Sequence, residues 1–327
     1  MATQSLTLQP SGSKMPLLGF GTWKVPKDSA ADIVYKAIAS GYRHVDCACD
    51  YGNEVQVGQG IKKAIADGLV TREELFVTSK EHVAPAFNRT LSDLGLDYID
   101  LYLIHFPISL KYVPFEERYP PEWANNEQDP VPVHETWAEM EKLVQSGKTK
   151  NIGVSNFPAI LLMDLLSYAK VKPAVLHIEA HPYLNNSALI KQVIVIPVLL
   201  PEGKNMQLGT YAQSQGLQVT GYSNFGPASY VELGSAAAQS AVPLFKEDRL
   251  TKIAAQHKKT VAQVILRWLV QNKISVIPKS LNPVRISQNA DIFNFDLSAQ
   301  EMETIDGMNI PLRLNDPGVY ANIPIYA

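Results

Sequence analysis

Short apolar runs typical of buried strands alternate with amphipathic helical runs along the whole chain. β-Branched and aromatic residues are frequent in these runs, as in strands buried on both faces. Between them apolar residues recur about every 3.6 positions, as at Val57, Ile61, Ala64 and Ile65. The eight strand candidates are LLGFG (17–21), YRHVD (42–46), LFVTS (75–79), IDLYLI (99–104), KNIGVS (150–155), AVLHI (174–178), QVTGYS (218–223) and SVIPK (275–279).

This alternation predicts a parallel sheet whose strands are joined by right-handed helical crossovers. Eight units favour a closed barrel over an open, doubly wound sheet. No G-x-G-x-x-G motif follows any strand candidate, which removes the main signal for a Rossmann domain. We therefore predict an α/β protein with one domain, residues 1–327, folded as a (β/α)8 TIM barrel.

Charge and cysteine content exclude several classes of function. The 327 residues carry a net charge of −3 with both signs interspersed, which gives no footprint for nucleic acid or for a membrane surface. Cys47 and Cys49 lie two apart and form no disulfide framework. No secretory leader is visible. We expect a soluble cytoplasmic protein, monomer or homodimer, that acts on a small molecule and holds no metal.

Proton-bearing side chains follow three of the predicted strands. Asp46, Lys80 and His105 stand at or next to strand ends, and Tyr51 lies in the loop after the first of them. Singly, each has a structural explanation, such as a helix cap or a core histidine. The carboxyl ends of barrel strands meet at one mouth, however, where active sites form. A lysine held by a carboxylate can lower the pKa of a tyrosine, which then protonates a carbonyl oxygen, while a histidine orients the substrate. These four residues predict a carbonyl reductase.

Ordered motifs over nearly the whole chain give a family resemblance. The chain resembles the aldo-keto reductases, and most closely their xylose reductase branch. The resemblance implies the same barrel, an N-terminal β-hairpin, an extra C-terminal helix and tail, and binding of NADPH, possibly also NADH, without a Rossmann fold. It also implies Tyr51 as the proton donor. The motifs are GFGTWKV, GYRHVDCACDYGNE, DYIDLYLIHFPISLKYVPFEERYPPEW, IGVSNF, HPYL, YSNFGP, VIPKS and LRLNDP.

The resemblance also implies a pocket for substrate and one for cofactor. Ser155 and Asn156 match the pair that holds the nicotinamide carboxamide, and Tyr222 matches the ring stacked on the nicotinamide. Lys279, Ser280 and Arg285 match the site of the adenosine 2′-phosphate. The remaining substrate positions are Trp23, Asp50, Phe106, Asn315 and Tyr320, and the remaining cofactor positions are His177, Ser223, Glu232 and Asn289.

Four single residues depart from the family pattern. His177 stands where the family has glutamine, and Leu281 replaces an asparagine, with Asn282 displaced by one position. Ala228 replaces another polar residue of the adenosine site. Tyr320 stands where a pocket tryptophan is usual. The balance between NADPH and NADH is therefore left open.

Two longer departures concern whole segments. About eight residues that the family places after Lys80 are absent, so we expect Lys80 to be pulled away from Tyr51. Residues 192–210 interrupt a helix with a loop-like insertion. We interpret the insertion as a retained short intron and the missing loop as an exon-boundary error. The alternative for the insertion is a genuine surface loop.

The sequence leaves two functions open. The first is reduction of an open-chain aldose by NAD(P)H, with D-xylose to xylitol as the best single substrate, and L-arabinose, galacturonate or glyceraldehyde as others. The second is a barrel that binds NADPH with little or no turnover, as a regulatory or defective isoform. The missing loop after Lys80 motivates the second.

Overall fold

Eight parallel strands form the centre of the protein in a computed structural model that describes residues 4–80, 85–111, 127–186, 189 and 216–326. Each of the eight predicted runs overlaps one of them. All eight strand predictions are confirmed, and the chain is an α/β barrel. After the N-terminal hairpin strands β1 and β2, the barrel strands are β3 (Phe20–Gly21), β4 (His44–Asp46), β5 (Phe76–Lys80), β6 (Leu101–Ile104), β7 (Ile152–Ser155), β8 (Val175–Glu179), β9 (Gln218–Tyr222) and β10 (Ile274–Val276).

The strands follow one another in chain order, and the last returns to the first. Every neighbouring pair from β3 to β10 is parallel and hydrogen-bonded. Leu18 pairs with Val276 in a parallel bridge. The amide of Gly19 donates to the carbonyl of Val276 (2.7 Å), and the amide of Val276 donates to that of Leu17 (2.8 Å). These bonds close the barrel and leave neither edge strand unpaired along this seam.

Helices surround the barrel and bury their apolar stripes against it. Val57, Ile61 and Ala64 are fully buried on one helix. Thr260 and Ser298 begin two later helices with the predicted capping boxes. The helices are α1 (Lys27–Ala39), α2 (Glu54–Ala66), α3 (Pro85–Leu94), α4 (Val133–Gln145), α5 (Ala159–Tyr168), α6 (Ala236–Ser240), α7 (Asp248–His257), α8 (Val261–Gln271), α9 (Pro283–Ala290), α10 (Ala299–Asp306) and α11 (Pro317–Tyr320).

The N-terminal hairpin covers one end of the barrel. Strands β1 (Ser5–Thr7) and β2 (Lys14–Pro16) pair antiparallel. Leu8 and Met15, on the hairpin, are fully buried against the beginnings of strands β5, β6 and β8. The C-terminal tail, with the short helix α11, lies at the other end. The predicted hairpin and C-terminal extension are both confirmed.

Several expectations fall on segments outside the described residues. The insertion at 192–210 and residues 81–84 after Lys80 are among them. Their interpretation as errors of the gene model therefore stays a hypothesis. Over the described ranges, no helix combines the length and apolarity that a membrane span requires.

Candidate active site

A cavity of about 1450 Å³ lies at the carboxyl ends of the strands. Most of the predicted site residues line it. Lys80 and Ser155 are fully buried behind its wall. For Tyr320 only the backbone, in helix α11, is described, and the neighbouring Val319 lines the cavity. The predicted residues that line it are Trp23, Asp46, Asp50, Tyr51, His105, Phe106, Asn156, His177, Tyr222, Ser223, Glu232, Lys279, Ser280, Arg285, Asn289 and Asn315.

Asp46 and Lys80 form a buried ion pair beneath the cavity. Their strands β4 and β5 are neighbours, with Asp46 paired to Thr78, so the two side chains meet inside the barrel. Lys80 Nζ donates to Asp46 Oδ1 (2.5 Å) and to the carbonyl of Cys47 (2.9 Å). The side chains are 0% and 2% exposed. Burial opposes the charge on Asp46, but the charge and hydrogen bond of Lys80, together with His177 and His44, hold the pKa of this carboxyl below its usual value.

Lys80 also lies close to Tyr51. Its ammonium nitrogen is 5.3 Å from the centre of the phenol ring. We expected the short connection after strand β5 to pull Lys80 away. That expectation is wrong, because Lys80 is the last residue of the strand and pairs in register with Leu103 of strand β6. The strand fixes Lys80 whatever the length of the following loop.

The predicted effect on the acidity of Tyr51 is also wrong. Burial raises the pKa of Tyr51 well above its ordinary value, and the carboxylates of Asp46 and Asp50 raise it further. Asp46 faces the phenol along with Lys80, so the pair brings a negative charge as well as a positive one. The consequence is a phenol that keeps its proton at neutral pH, which is the form a proton donor requires.

His105 stands on the other side of Tyr51. Its Nδ1 atom lies 3.3 Å from Asp50 Oδ2. The imidazole ring is 6.0 Å from that of Tyr51 and 5.1 Å from that of Phe106, centre to centre. A carboxylate at Nδ1 favours the tautomer with its proton there, which leaves Nε2 free of that contact. Tyr51 and His105 thus place two polar groups side by side at the floor of an aromatic pocket.

Four residues form the wall where the resemblance implies a nicotinamide. Tyr222 Oη donates to Asn156 Oδ1 (2.5 Å), and Asn156 Nδ2 donates to the carbonyl of His105 (2.9 Å). Ser155 Oγ lies 3.1 Å from His177 Nδ1. Asn156 has a left-handed backbone, with φ +63°, directly after strand β7. Such strained positions persist where packing enforces them, often at functional sites.

His177, in the place of the family's glutamine, faces the ion pair. Its Nε2 atom is 3.6 Å from Asp46 Oδ2. Burial lowers the pKa of His177 to about 3, although Asp46 acts in the opposite direction. The imidazole is therefore neutral at physiological pH. Its Nδ1 atom is within hydrogen-bond distance of Ser155 Oγ. The amide of the family's glutamine would have offered two donors at this position.

Lys24 and Glu232 join across the top of the cavity. The two side chains form an ion pair, and Lys24 also donates to the carbonyl of Ser229. Lys279 lies nearby. Burial lowers its pKa and the charge of Lys24 lowers it further, while Glu232 raises it. Two neighbouring cations in a long groove suit an extended anionic ligand, and the groove therefore fits a dinucleotide. Glu232, one of the predicted cofactor positions, is paired with Lys24.

The far end of the groove carries the residues expected at the adenosine. Arg285 is exposed in helix α9, and Asn289 is buried one turn later. The displaced Asn282 caps this helix, because its side chain accepts from the amides of Val284 and Arg285 (2.9 and 3.2 Å). Its role is thus structural, and Leu281 leaves no amide in the family's position.

Sequence reasoning missed three residues near the site: Lys24 and Tyr230, which line the cavity, and Glu54, which is buried and does not line it. Tyr230 places its hydroxyl 2.9 Å from Ser223 Oγ and its ring 5.5 Å from that of Trp23. Glu54 begins helix α2 and accepts from Ser79 Oγ (2.6 Å) and Thr90 Oγ1 (2.9 Å). Lys24 and Glu54 had a usable signal, since they lie in the motifs GFGTWKV and GYRHVDCACDYGNE.

Glu54 should make stability depend on pH. Burial raises its pKa from 4.5 to about 7, against the two hydroxyl hydrogen bonds. A carboxyl whose pKa is higher in the folded than in the unfolded protein stabilises the fold at pH values below its unfolded pKa. This contribution is lost as the pH rises through the folded pKa. We expect Glu54→Gln to gain about 2–3 kcal/mol relative to the wild type between pH 5 and pH 8.

Urea unfolding of both proteins at the two pH values measures this difference. Glu73→Gln, at an exposed carboxyl, is the control and should show no such gain. A difference between wild type and Glu54→Gln that is independent of pH would contradict the assignment.

The family model and the similar sequences all identify reductases. Residues 17–310 match the family model described as "Aldo/keto reductase family". A probable NAD(P)H-dependent D-xylose reductase of Aspergillus clavatus is 48% identical over 334 residues, covering 98% of this chain and 95% of the relative. An NAD(P)H-dependent D-xylose reductase I,II of Candida tropicalis is 48% identical over 329 residues, covering 97% and 96%.

Solved structures agree with these relatives. A Bombyx mori aldo-keto reductase in complex with NADP matches with a TM-score of 0.84 and 35% identity, covering 100% of this chain and 99% of that one. The aldose reductase from Schistosoma japonicum matches with a TM-score of 0.80 and 34% identity, covering 97% and 96%. The likeness extends over both chains in each case.

Proposed function

Because the chain belongs to the aldo/keto reductase family, we propose that it is an NAD(P)H-dependent reductase of open-chain aldoses, converting D-xylose to xylitol. The observation that carries the proposal is the buried ion pair of Asp46 and Lys80 beneath Tyr51, with His105 beside it. An aldehyde held at this floor has a proton donor within reach of its oxygen and an imidazole ring beside it.

Each of the four residues has a separate role in this proposal. NADPH, when bound, supplies the hydride that reduces the aldehyde carbon. Tyr51 donates its phenolic proton to the carbonyl oxygen as negative charge develops there. Lys80 stabilises the phenolate that remains, and Asp46 holds Lys80 in place. His105, held at Nδ1 by Asp50, lies beside the same oxygen and so fixes the orientation of the aldehyde.

The pocket above this floor suits a hydroxylated substrate. Trp23 and Phe106 provide aromatic walls, while Asp50 and Asn315 bring polar groups to the same space. Such a mixture holds an apolar carbon chain and hydrogen-bonds its hydroxyls. These positions are assigned to the sugar, together with Tyr320.

The long groove is assigned to the cofactor. Ser155 and Asn156 would hold the carboxamide, with His177 beside them, and Tyr222 would stack on the nicotinamide. Ser223 would meet the pyrophosphate, and Glu232 the ribose once released from Lys24. Lys279, Ser280, Arg285 and Asn289 would surround the 2′-phosphate and adenosine.

A steady-state assay tests the proposed function. Purified protein is given NADPH or NADH with D-xylose, L-arabinose, galacturonate and glyceraldehyde, and NADPH binding is followed separately by fluorescence. We expect turnover with the aldose panel and the highest kcat/KM for D-xylose among the sugars. NADPH binding without reduction of any aldehyde would reject the enzyme and leave the binding-only barrel.

The 2′-phosphate site gives a further prediction. Lys279→Met with Arg285→Ala should weaken NADPH binding by about 10- to 100-fold, because hydrogen bonds to charged groups contribute about 1.5–3 kcal/mol. NADH lacks the 2′-phosphate, so its affinity should change less than about threefold. Fluorescence titrations with both cofactors measure the two effects. Equal losses for NADPH and NADH would place the 2′-phosphate elsewhere.

The binding-only barrel loses its motivation. It depended on displacement of Lys80 by the short connection after strand β5. Lys80 is instead paired with Asp46 and 5.3 Å from the ring of Tyr51. The assay above still separates the two functions directly.

A further inference from the structure

A second buried pair, Glu179 and His181, lies at the carboxyl end of strand β8, and none of the roles proposed above uses it. Both side chains are fully buried. Glu179 Oε1 is 2.9 Å from His181 Nε2. The Nδ1 atom of His181 has no hydrogen-bond partner among the described residues. We therefore assign the ring proton to Nε2, which donates it to Glu179 Oε1. Nδ1 is then a buried acceptor without a partner, which costs less than a carboxylate oxygen facing an unprotonated ring nitrogen.

The carboxylate of Glu179 holds the C-terminal tail. The amide of Leu314 donates to both oxygens of Glu179 (3.0 and 3.1 Å), and the amide of Asn315 donates to Oε2 (2.9 Å). These amides lie 135 and 136 residues further along the chain. Because a carboxylate offers only acceptors, all of these contacts are satisfied together.

The hydrogen bonds from Leu314 and Asn315 to Glu179, here called the tether, end at a residue of the pocket. Asn315 lines the cavity, and its Nδ2 atom donates to Tyr222 Oη (3.1 Å). Tyr222 in turn donates to Asn156, whose side chain donates to the carbonyl of His105. The backbone of Asn315 is thus fixed by Glu179, and its side chain continues into the wall beside His105.

We propose that Glu179 is a positioning residue for the reduction of hydroxylated aldehydes. By fixing the amides of Leu314 and Asn315, it sets where the Asn315 side chain meets the hydroxyls of the substrate. His181 orients the carboxylate and takes no part in the chemistry. This inference rests on the proposed function, in which Asn315 contacts the sugar.

The variant Glu179→Gln tests this role. This substitution keeps the size of the side chain but replaces one carboxylate oxygen with an NH2 group. At least one donor, either His181 or a backbone amide of Leu314 or Asn315, therefore loses its acceptor. We expect KM for D-xylose to rise by about 10-fold or more, with a smaller change in kcat and less than about twofold change in NADPH affinity.

A comparison of substrates separates positioning from general damage. KM for an aromatic aldehyde without hydroxyls should change less than about twofold in Glu179→Gln, because that substrate makes no use of Asn315. In an Asn315→Ala background, Glu179→Gln should raise the KM for D-xylose little further, since the two substitutions remove the same contact. Equal KM increases for both aldehydes, or full additivity with Asn315→Ala, would overturn the proposal.

Glu141→Gln is a matched control. Glu141 is a buried carboxylate that accepts from two successive amides, those of Lys170 and Val171 (2.7 and 2.9 Å), away from the cavity. The Glu141→Gln variant should lose about as much stability as Glu179→Gln and leave the KM values for both aldehydes unchanged. If Glu179→Gln is not recovered folded, Glu179→Asp, which keeps the charge and shortens the reach, should give the same KM pattern.

The two proposals fail differently. Absence of D-xylose reduction by the wild type would reject the proposed function before any variant is made. An active wild type with an unchanged KM in folded Glu179→Gln would reject only the role of Glu179.

Discussion

Replacing Tyr51 with phenylalanine should lower kcat for D-xylose by about 100- to 10,000-fold, because general acid catalysis by a positioned side chain contributes that much. The change removes one oxygen from a ring whose packing stays the same. NADPH affinity should therefore be retained. Steady-state kinetics and fluorescence titration of Tyr51→Phe measure the two quantities.

Tyr35→Phe is the control for this prediction. Tyr35 donates its hydroxyl hydrogen bond to Asp67 on the outside of the barrel, so its loss should leave kcat unchanged. A Tyr51→Phe enzyme that keeps more than about a tenth of the wild-type kcat would exclude Tyr51 as the proton donor.

Replacing Lys80 with methionine should cost both activity and stability. The substitution leaves the carboxylate of Asp46 buried without its cation. Removing one partner of a buried ion pair destabilises proteins by about 3–5 kcal/mol. We expect a loss of that size in urea unfolding at pH 7 and a drop in kcat comparable to that of Tyr51→Phe.

The dependence of this loss on pH identifies its cause. In the wild type Lys80 lowers the Asp46 pKa, so the stabilisation is present at neutral pH and lost in acid, as pH falls through the folded pKa. In Lys80→Met the largest influence, burial, is no longer opposed by Lys80, and the Asp46 pKa rises. The variant should therefore recover stability relative to the wild type as pH falls from 7 to 4.

A double variant completes the test. Asp46→Asn with Lys80→Met removes both charges and should be more stable than Lys80→Met alone, while remaining inactive. A Lys80→Met variant as stable as the wild type at pH 7 would show that the ion pair does not stabilise the barrel.

The barrel could be predicted because strand and helix periods are local properties of a sequence. Each observed strand has only two to five residues, and the predicted runs match their bounds to within a few positions. Asp46, Lys80 and His105 could also be placed, since a residue at the end of a parallel barrel strand points to the mouth in any barrel.

Properties that depend on distant residues could not be predicted in the same way. The pKa of Tyr51 depends on burial and on the carboxylates around it, and the lysine alone gave the wrong direction. The pairing of Lys24 with Glu232 joins two loops with no shared pattern. The tether from Glu179 to Asn315 spans most of the second half of the chain. Such contacts follow only from the closed shape of the barrel.

The seam between strands β3 and β10 joins the two ends of the chain. Ser275 donates its hydroxyl hydrogen bond to the carbonyl of Pro16, 259 residues earlier. Contacts so distant in sequence form late in folding, because the entropy of closing the intervening chain must first be overcome. Trp23 and Lys24 follow the first strand at this seam, and Lys279 follows the last. A partly folded barrel could thus already contain the pair of Asp46 and Lys80 on adjacent inner strands, whereas a cofactor groove exists only after the ring has closed. A ligand that bridges Lys24 and Lys279 binds the closed ring and therefore stabilises it against opening.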